Sequence, residues 1–233
     1  PVVDESNLVI IISQSGETAD TLAALREAKR RGAKTLAIVN VVGSAIAKAA
    51  DYTIYTWAGP EIAVASTKAY TVQLAVLYLL AFRLALVRGT AEEHLLRQLT
   101  EQLEHCAAAM QTLLAQKETF RQLAALYCGA DSLFYLGRGL DHALALEGSL
   151  KLKEISYIHS EGYASGELKH GAIALITENT PVVALATQPA VFEKTLSNLK
   201  EVRARGAKTV LVCMDGTELG ADAADHIIRI PPV

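Results

Sequence analysis

Residues 27–40, Glu27-Ala-Lys-Arg-Arg-Gly-Ala-Lys-Thr-Leu-Ala-Ile-Val-Asn40, return as Glu201-Val-Arg-Ala-Arg-Gly-Ala-Lys-Thr-Val-Leu-Val-Cys-Met214. Gly32 and Gly206 set the offset at 174 residues; at that offset, without gaps, Ala50-Asp51 meets Ala224-Asp225 and Ser13-Gln14 meets Thr187-Gln188. Each copy reads as strand, loop, helix, Gly, strand, short helix, Asp, strand, which is a parallel α/β pattern. Two copies of one such unit predict two similar domains, each a parallel sheet flanked by helices.

The copies are cut at different ends. Ahead of the second stand a strand and glycine turn, Asp131-Ser-Leu-Phe-Tyr-Leu-Gly-Arg-Gly139, and a helix from Leu140 to about Ile158; nothing comparable precedes Leu8. After Trp57 the first copy runs on through Gly59-Pro60-Glu61 into a long helix, whereas the second stops at Pro231-Pro232-Val233. The expectation is an internal piece of a longer protein. Its first domain (residues 1–90) lacks its start, a helical connector fills 91–130, and its second domain (131–233) lacks its end. Residues 92–126 read as amphipathic helix with a break near the middle.

With 233 residues, 51% of them hydrophobic, the chain can bury two cores. A net charge of −3, with basic residues scattered among acids, argues against nucleic acid as a partner. Cys106, Cys128 and Cys213 have neither metal nor redox spacing and suit reduced, cytoplasmic packing residues. The apolar run from Tyr70 to Val87 approaches a membrane span in length, but Gln73 and Arg83 interrupt it. It reads better as a helix buried in a core or subunit interface than as a membrane segment.

The aliphatic run Leu8 to Ile12 predicts a buried parallel strand, and Ala19 to Arg31 a helix closed by Gly32. Between them lies Ser13-Gln-Ser-Gly-Glu-Thr18, a strand-to-helix turn carrying three hydroxyls, an amide and a glycine. Free N–H groups and the helix dipole favour an anion there, although small polar residues also serve as simple caps. The second copy has Thr187-Gln-Pro-Ala-Val-Phe192 instead; Pro189 lacks an N–H donor, and Ala190 and Phe192 replace a turn glycine and a hydroxyl. That asymmetry favours a phosphate site in the first copy alone.

A second polar concentration follows Gly137-Arg-Gly139. Glu147, Lys151 and Glu154 share one helix face, beside Leu144, Leu150 and Leu152, which are expected to bury much of the remaining surface. The polar segment His159-Ser-Glu-Gly-Tyr-Ala-Ser-Gly-Glu-Leu-Lys-His-Gly171 reads as a loop leading to an apolar strand, Ala172 to Ile176. Residue chemistry alone leaves both an ordinary ion pair and an acid/base site open here.

Four segments, in order, resemble the isomerase part of the glutamine–fructose-6-phosphate amidotransferases, built from two sugar-isomerase (SIS) domains. They are Ser13-Gln-Ser-Gly-Glu-Thr18, Pro60-Glu-Ile-Ala-Val-Ala-Ser-Thr-Lys68, Glu147-Gly-Ser-Leu-Lys-Leu-Lys-Glu-Ile-Ser156 and Gly166-Glu-Leu-Lys-His-Gly171. The resemblance implies that Ser13, Gln14, Ser15 and Thr18 hold a sugar 6-phosphate and that Val64 and Ser66 line the sugar. It further implies that Glu154 is the base and His170 the ring-opening histidine, reaching a neighbouring subunit, with Glu147 and Lys151 as charged partners. Fructose 6-phosphate and glucosamine 6-phosphate are the implied ligands, with a homodimer, a glutaminase domain as the ammonia source, and no metal or cofactor. Because this stretch contains no glutaminase domain, first phosphate-contacting serine loop or C-terminal substrate lysine, the isolated chain is expected to be inactive. Two rivals remain open: a related glucosamine-6-phosphate deaminase or sugar-amine deglycase, and a non-catalytic sugar-phosphate sensor, against which the Glu147–Glu154 cluster argues.

Overall fold

The computed structural model describes residues 2–232, which divide into two compact units, residues 2–100 and 101–232. In the first, β1 (Leu8–Ser13), β2 (Lys34–Val39) and β3 (Tyr52–Tyr55) form a parallel sheet in that order. Parallel strands need crossovers, supplied by α1 (Ala19–Arg30) and α2 (Ala45–Ala49). Ile11, Ala37 and Val39 of the sheet enclose Leu25 of α1 and Ile46 of α2. Then comes α3 (Thr67–Val87); α4 (Glu93–Leu114) begins in this unit and runs into the second, where α5 (Lys117–Tyr127) follows the expected break in the connector at residues 115–116.

The second unit holds β4 (Ser132–Gly137), α6 (Leu140–Ser156), β5 (His159–Ala164), β6 (Pro181–Ala186), α7 (Phe192–Arg203), β7 (Lys208–Met214) and β8 (His226–Ile230). Its five parallel strands lie in the order β5-β4-β6-β7-β8. Leu196, Leu199 and Val202 of α7 recur every third residue and meet Leu136, Val182, Ala184 and Leu211 on one face. Full burial of each such aliphatic side chain stabilises by about 1.5–3 kcal/mol.

The repeated residues do the same work twice. Arg31 and Gly32 end α1 with bonds from Gly32 N–H to the Lys29 carbonyl (2.9 Å) and Ala33 N–H to the Ala28 carbonyl (3.1 Å). Gly206 and Ala207 reproduce both bonds on Arg203 and Val202, at 2.9 and 3.2 Å. Asp51 accepts the Thr35 N–H (2.9 Å) and hydroxyl (2.8 Å), and Asp225 accepts those of Thr209, both at 2.7 Å. Lys29 pairs with Asp51 at 3.0 Å, and Arg203, its counterpart, lies 3.7 Å from Asp225.

The bonds from Lys29 and Thr35 hold the Asp51 carboxyl down at about 2. A depressed carboxylate contributes stability above its unfolded pKa, near 4, and loses it as pH falls through the folded value. Unfolding temperatures of the first unit are therefore expected to drop between about pH 4 and 2, with the wild-type advantage over Asp51→Asn shrinking across that window. A constant gap between the two proteins from pH 7 to 2 would contradict this role.

Four local expectations are corrected. No helix joins β7 to β8, since Gly220 stands where α2 has the buried anchor Ile46 and Asp215-Gly216 opens a turn. The polar stretch from His159 begins as β5, an edge strand whose main chain pairs with β4 whatever its side chains. Ala172–Leu175 is a 3₁₀ turn rather than a strand; buried Ala172 and Ile176 are four residues apart, a helical spacing. Finally, α3 is not buried within its unit: only Ala69 is, while Leu79, Leu84 and Val87 are exposed. A helix apolar all round leaves apolar surface outside whichever face it docks.

Candidate functional site

In the first unit β1 delivers Ser13 to the carboxyl edge of the sheet, and the chain turns through residues 14–18 into α1. Ser13 Oγ accepts the Gly16 N–H at 3.0 Å and lies 3.4 Å from Thr18 Oγ1. Ser15 Oγ accepts the Glu17 N–H at 3.2 Å. Thr18 is the N-cap residue of α1 yet makes no side-chain cap bond, so its hydroxyl is not committed to the helix. Gln14 and Ser15 are half-buried and Thr18 is exposed. The arrangement offers hydroxyls and helix N–H groups to an anion without a fixed cation.

Asn40, which the sequence reading passed over, ties this turn to the next. Its N–H donates to the Gln14 carbonyl (3.1 Å), its Oδ1 accepts from Thr56 (3.0 Å) and Ala58 (2.9 Å), and its Nδ2 donates to the Gly59 carbonyl (2.7 Å). The available signal was its place as the last residue of the repeated stretch, opposite Met214. Val64 and Ser66 lie in the turn before α3, where the Glu61 carboxylate accepts the N–H groups of Ala63 (3.3 Å) and Ala69 (3.2 Å). Among the described residues no hydrogen bond joins that turn to residues 13–18.

The matching turn of the second unit is closed from within. Strand order reverses between β4 and β6, the position where open α/β sheets usually take ligands. There Asp141, 1% exposed, accepts the Thr187 N–H at 2.8 Å and its hydroxyl at 2.6 Å. Gln188 Nε2 donates to the Arg138 carbonyl at 2.7 Å. Thr187 is the counterpart of Ser13, so an internal carboxylate engages the groups with which the first copy could meet an anion.

The charged cluster assembles on α6. Lys151 Nζ lies 3.1 Å from Glu147 and 3.4 Å from Glu154. Burial disfavours the ammonium, but Glu147 and then Glu154 outweigh it and raise Lys151 above its ordinary value. Side-chain exposures of 21%, 21% and 33% for Glu147, Lys151 and Glu154 distinguish this trio from a freely solvated surface pair. Leu144 and Leu150 are exposed, contrary to expectation, because α6 buries Asp141, Ala145 and Ser149 on its other side.

His170 ends the 3₁₀ turn Ser165–His170 and is exposed. The turn is pinned by Leu168, which is fully buried, by Ser165 Oγ donating to the Gly137 carbonyl (3.1 Å), and by Lys169 against Glu201 (3.0 Å). His170 itself makes no hydrogen bond or ion pair among the described residues. Ser13, Gln14, Ser15, Thr18, Val64 and Ser66 thus belong to the first unit, and Glu147, Lys151, Glu154 and His170 to the second.

Glutamine–fructose-6-phosphate aminotransferase [isomerizing] of Caldanaerobacter subterraneus is 54% identical over 231 residues, 99% of this chain and 38% of that protein. The Clostridium tetani protein of the same name is 54% identical over the same shares. The chain therefore spans well under half the length of these relatives. Among solved structures, the C-terminal domain of glucosamine-fructose-6-phosphate aminotransferase from Francisella tularensis superposes with a TM-score of 0.94 at 39% identity, over 99% of this chain and 65% of that one. Glucosamine-6-phosphate deaminase from Thermotoga maritima gives 0.70 at 23% identity, over 99% and 66%, a likeness of fold alone. The model of the SIS domain matches residues 1–83 and 126–233, taking in both sheets, and the chain belongs to the SIS domain family.

Proposed function

We propose that this chain is the isomerase part of a glutamine–fructose-6-phosphate aminotransferase, which converts fructose 6-phosphate and ammonia to glucosamine 6-phosphate. The observation that carries the reading is the Glu147–Lys151–Glu154 trio on α6, in a chain whose first unit keeps an open hydroxyl turn. Isomerising a 2-ketose phosphate to an aldose requires ring opening, then proton movement between C1 and C2. Glu154 is the base that takes and returns that proton. Lys151, held protonated by two carboxylates, stabilises ionised Glu154 or a developing oxyanion, and Glu147 fixes the lysine. His170, exposed and without a partner among the described residues, shuttles the ring-opening proton. Ser13, Gln14, Ser15 and Thr18 hold the 6-phosphate, whose remote binding energy positions the reacting carbons, while Val64 and Ser66 flank the sugar. A cytoplasmic homodimer with a glutaminase domain supplying ammonia completes the reading. The identity of 54% to the aminotransferases, against 23% to the deaminase, favours it over that rival.

The test is thermal unfolding of the 233-residue chain with glucosamine 6-phosphate or unphosphorylated glucosamine. The phosphorylated sugar alone is expected to raise the transition, by about 2.7 kcal/mol of stability at a hundredfold excess over Kd. The double variant Ser15→Ala, Thr18→Ala should lose the rise. Equal stabilisation by both sugars, or none by either, would sink the phosphate assignment.

A further inference from the structure

The hydroxyl turn of the first unit is fastened to a helix much later in the chain. Glu17 Oε1 accepts the N–H of Ala45, the first residue of α2, at 2.8 Å across 28 residues of sequence. The Gly16 carbonyl accepts the next N–H, that of Ile46, at 2.9 Å. These are two of the donors that a helix start leaves unpaired, and normally the N-cap side chain serves such groups.

Here the N-cap residue is Ser44, and its hydroxyl is displaced. Ser44 is 3% exposed, makes no side-chain cap bond, and its Oγ is buried without a hydrogen-bond partner. It stands directly behind Gly16, where a Cβ on that glycine would lie 2.1 Å from Ser44 Oγ. The phosphate turn has thus taken over the capping of α2, and the helix in return holds Gly16 and Glu17.

The second copy offers an independent comparison. Val191 replaces Glu17, Ala190 replaces Gly16, Glu218 replaces Ser44, and the connection between β7 and β8 contains no helix. The unit that lacks the hydroxyl turn lacks both halves of the fastening.

We propose that Glu17 is a positioning residue: it holds the Ser13–Thr18 turn in its anion-ready shape through α2, and its carboxylate does not contact the sugar phosphate. This rests on the phosphate reading of that turn. A free carboxylate beside a phosphate would repel it, so the direction of the effect discriminates. Titration calorimetry of the chain with glucosamine 6-phosphate is expected to show about tenfold weaker binding for Glu17→Ala, the scale of a lost helix cap. Glu17→Gln, which keeps an oxygen to accept the Ala45 N–H, should restore binding to within about threefold. Hydrogen exchange at the Ala45 amide should quicken in the alanine variant and not in the glutamine one. Ser44→Ala should leave binding unchanged and not lower the unfolding temperature, since it removes a buried hydroxyl that has no partner.

Tighter binding in both Glu17 variants, or wild-type binding retained in Glu17→Ala, would overturn the positioning role while leaving the phosphate site intact. Absence of binding by the wild-type chain would overturn the phosphate reading, and the positioning role with it.

Discussion

Gly16→Ala is expected to abolish stabilisation of the first unit by glucosamine 6-phosphate and to lower that unit's unfolding temperature by roughly 15 °C. Two effects add. Gly16 has φ +68°, a left-handed conformation costing an alanine about 1–2 kcal/mol. The new Cβ would also stand 2.1 Å from Ser44 Oγ and 2.6 Å from Ser44 Cβ. Rotating the serine can move its hydroxyl away but leaves its Cβ in place, so the turn must shift off α2, at about 1–3 kcal/mol. Adding Ser44→Gly should recover the steric part and leave the backbone part. The decisive comparison is calorimetric unfolding of both variants, with and without the sugar phosphate. A Gly16→Ala protein that melts like wild type and still responds to the ligand would show that the turn tolerates displacement.

The second unit has its own intolerant position. Gly137→Ala is expected to destabilise that unit by about 3 kcal/mol, lowering its transition by roughly 10 °C. A Cβ at Gly137 would lie 2.4 Å from the carbonyl carbon and oxygen of Asp141 and 2.6 Å from the His142 nitrogen. These are backbone atoms of the first turn of α6, so no side-chain rotation relieves the clash. Pushing α6 away also stretches the bonds from Thr187 to Asp141. Chemical denaturation followed in the second unit should show the loss; a midpoint unchanged from wild type would mean that α6 can withdraw from β4 at no cost.

Both glycines were visible in the sequence as turn residues, but their reasons were not. Ser13, Ser15 and Thr18 announced a hydroxyl turn because strand, turn and helix follow one another directly between Leu8 and Arg31. The trio Glu147, Lys151 and Glu154 was equally legible, since a spacing of four and three is a property of any helix. What escaped was Glu17, read as one more polar residue of the motif, and Asp141, read as part of a helix. Asn40 and Ser44 likewise carried no local pattern. The polar strand β5 was missed for a related reason: strand pairing at a sheet edge depends on the neighbour's main chain and not on the strand's own side chains.

From sequence alone came the two α/β copies, their closing glycines, the matched positions of Asp51 and Asp225, and the loss of hydroxyls from the second turn. These are written in contiguous periodicity and in a repeat that preserves register over many residues. Only the tertiary structure decided that the first turn is fastened to α2 and stays open, while the second is closed by Asp141. The physical reason is range: Glu17 reaches its partner across 28 residues and Asp141 across 46, and such bonds exist only once the sheets have brought distant turns together.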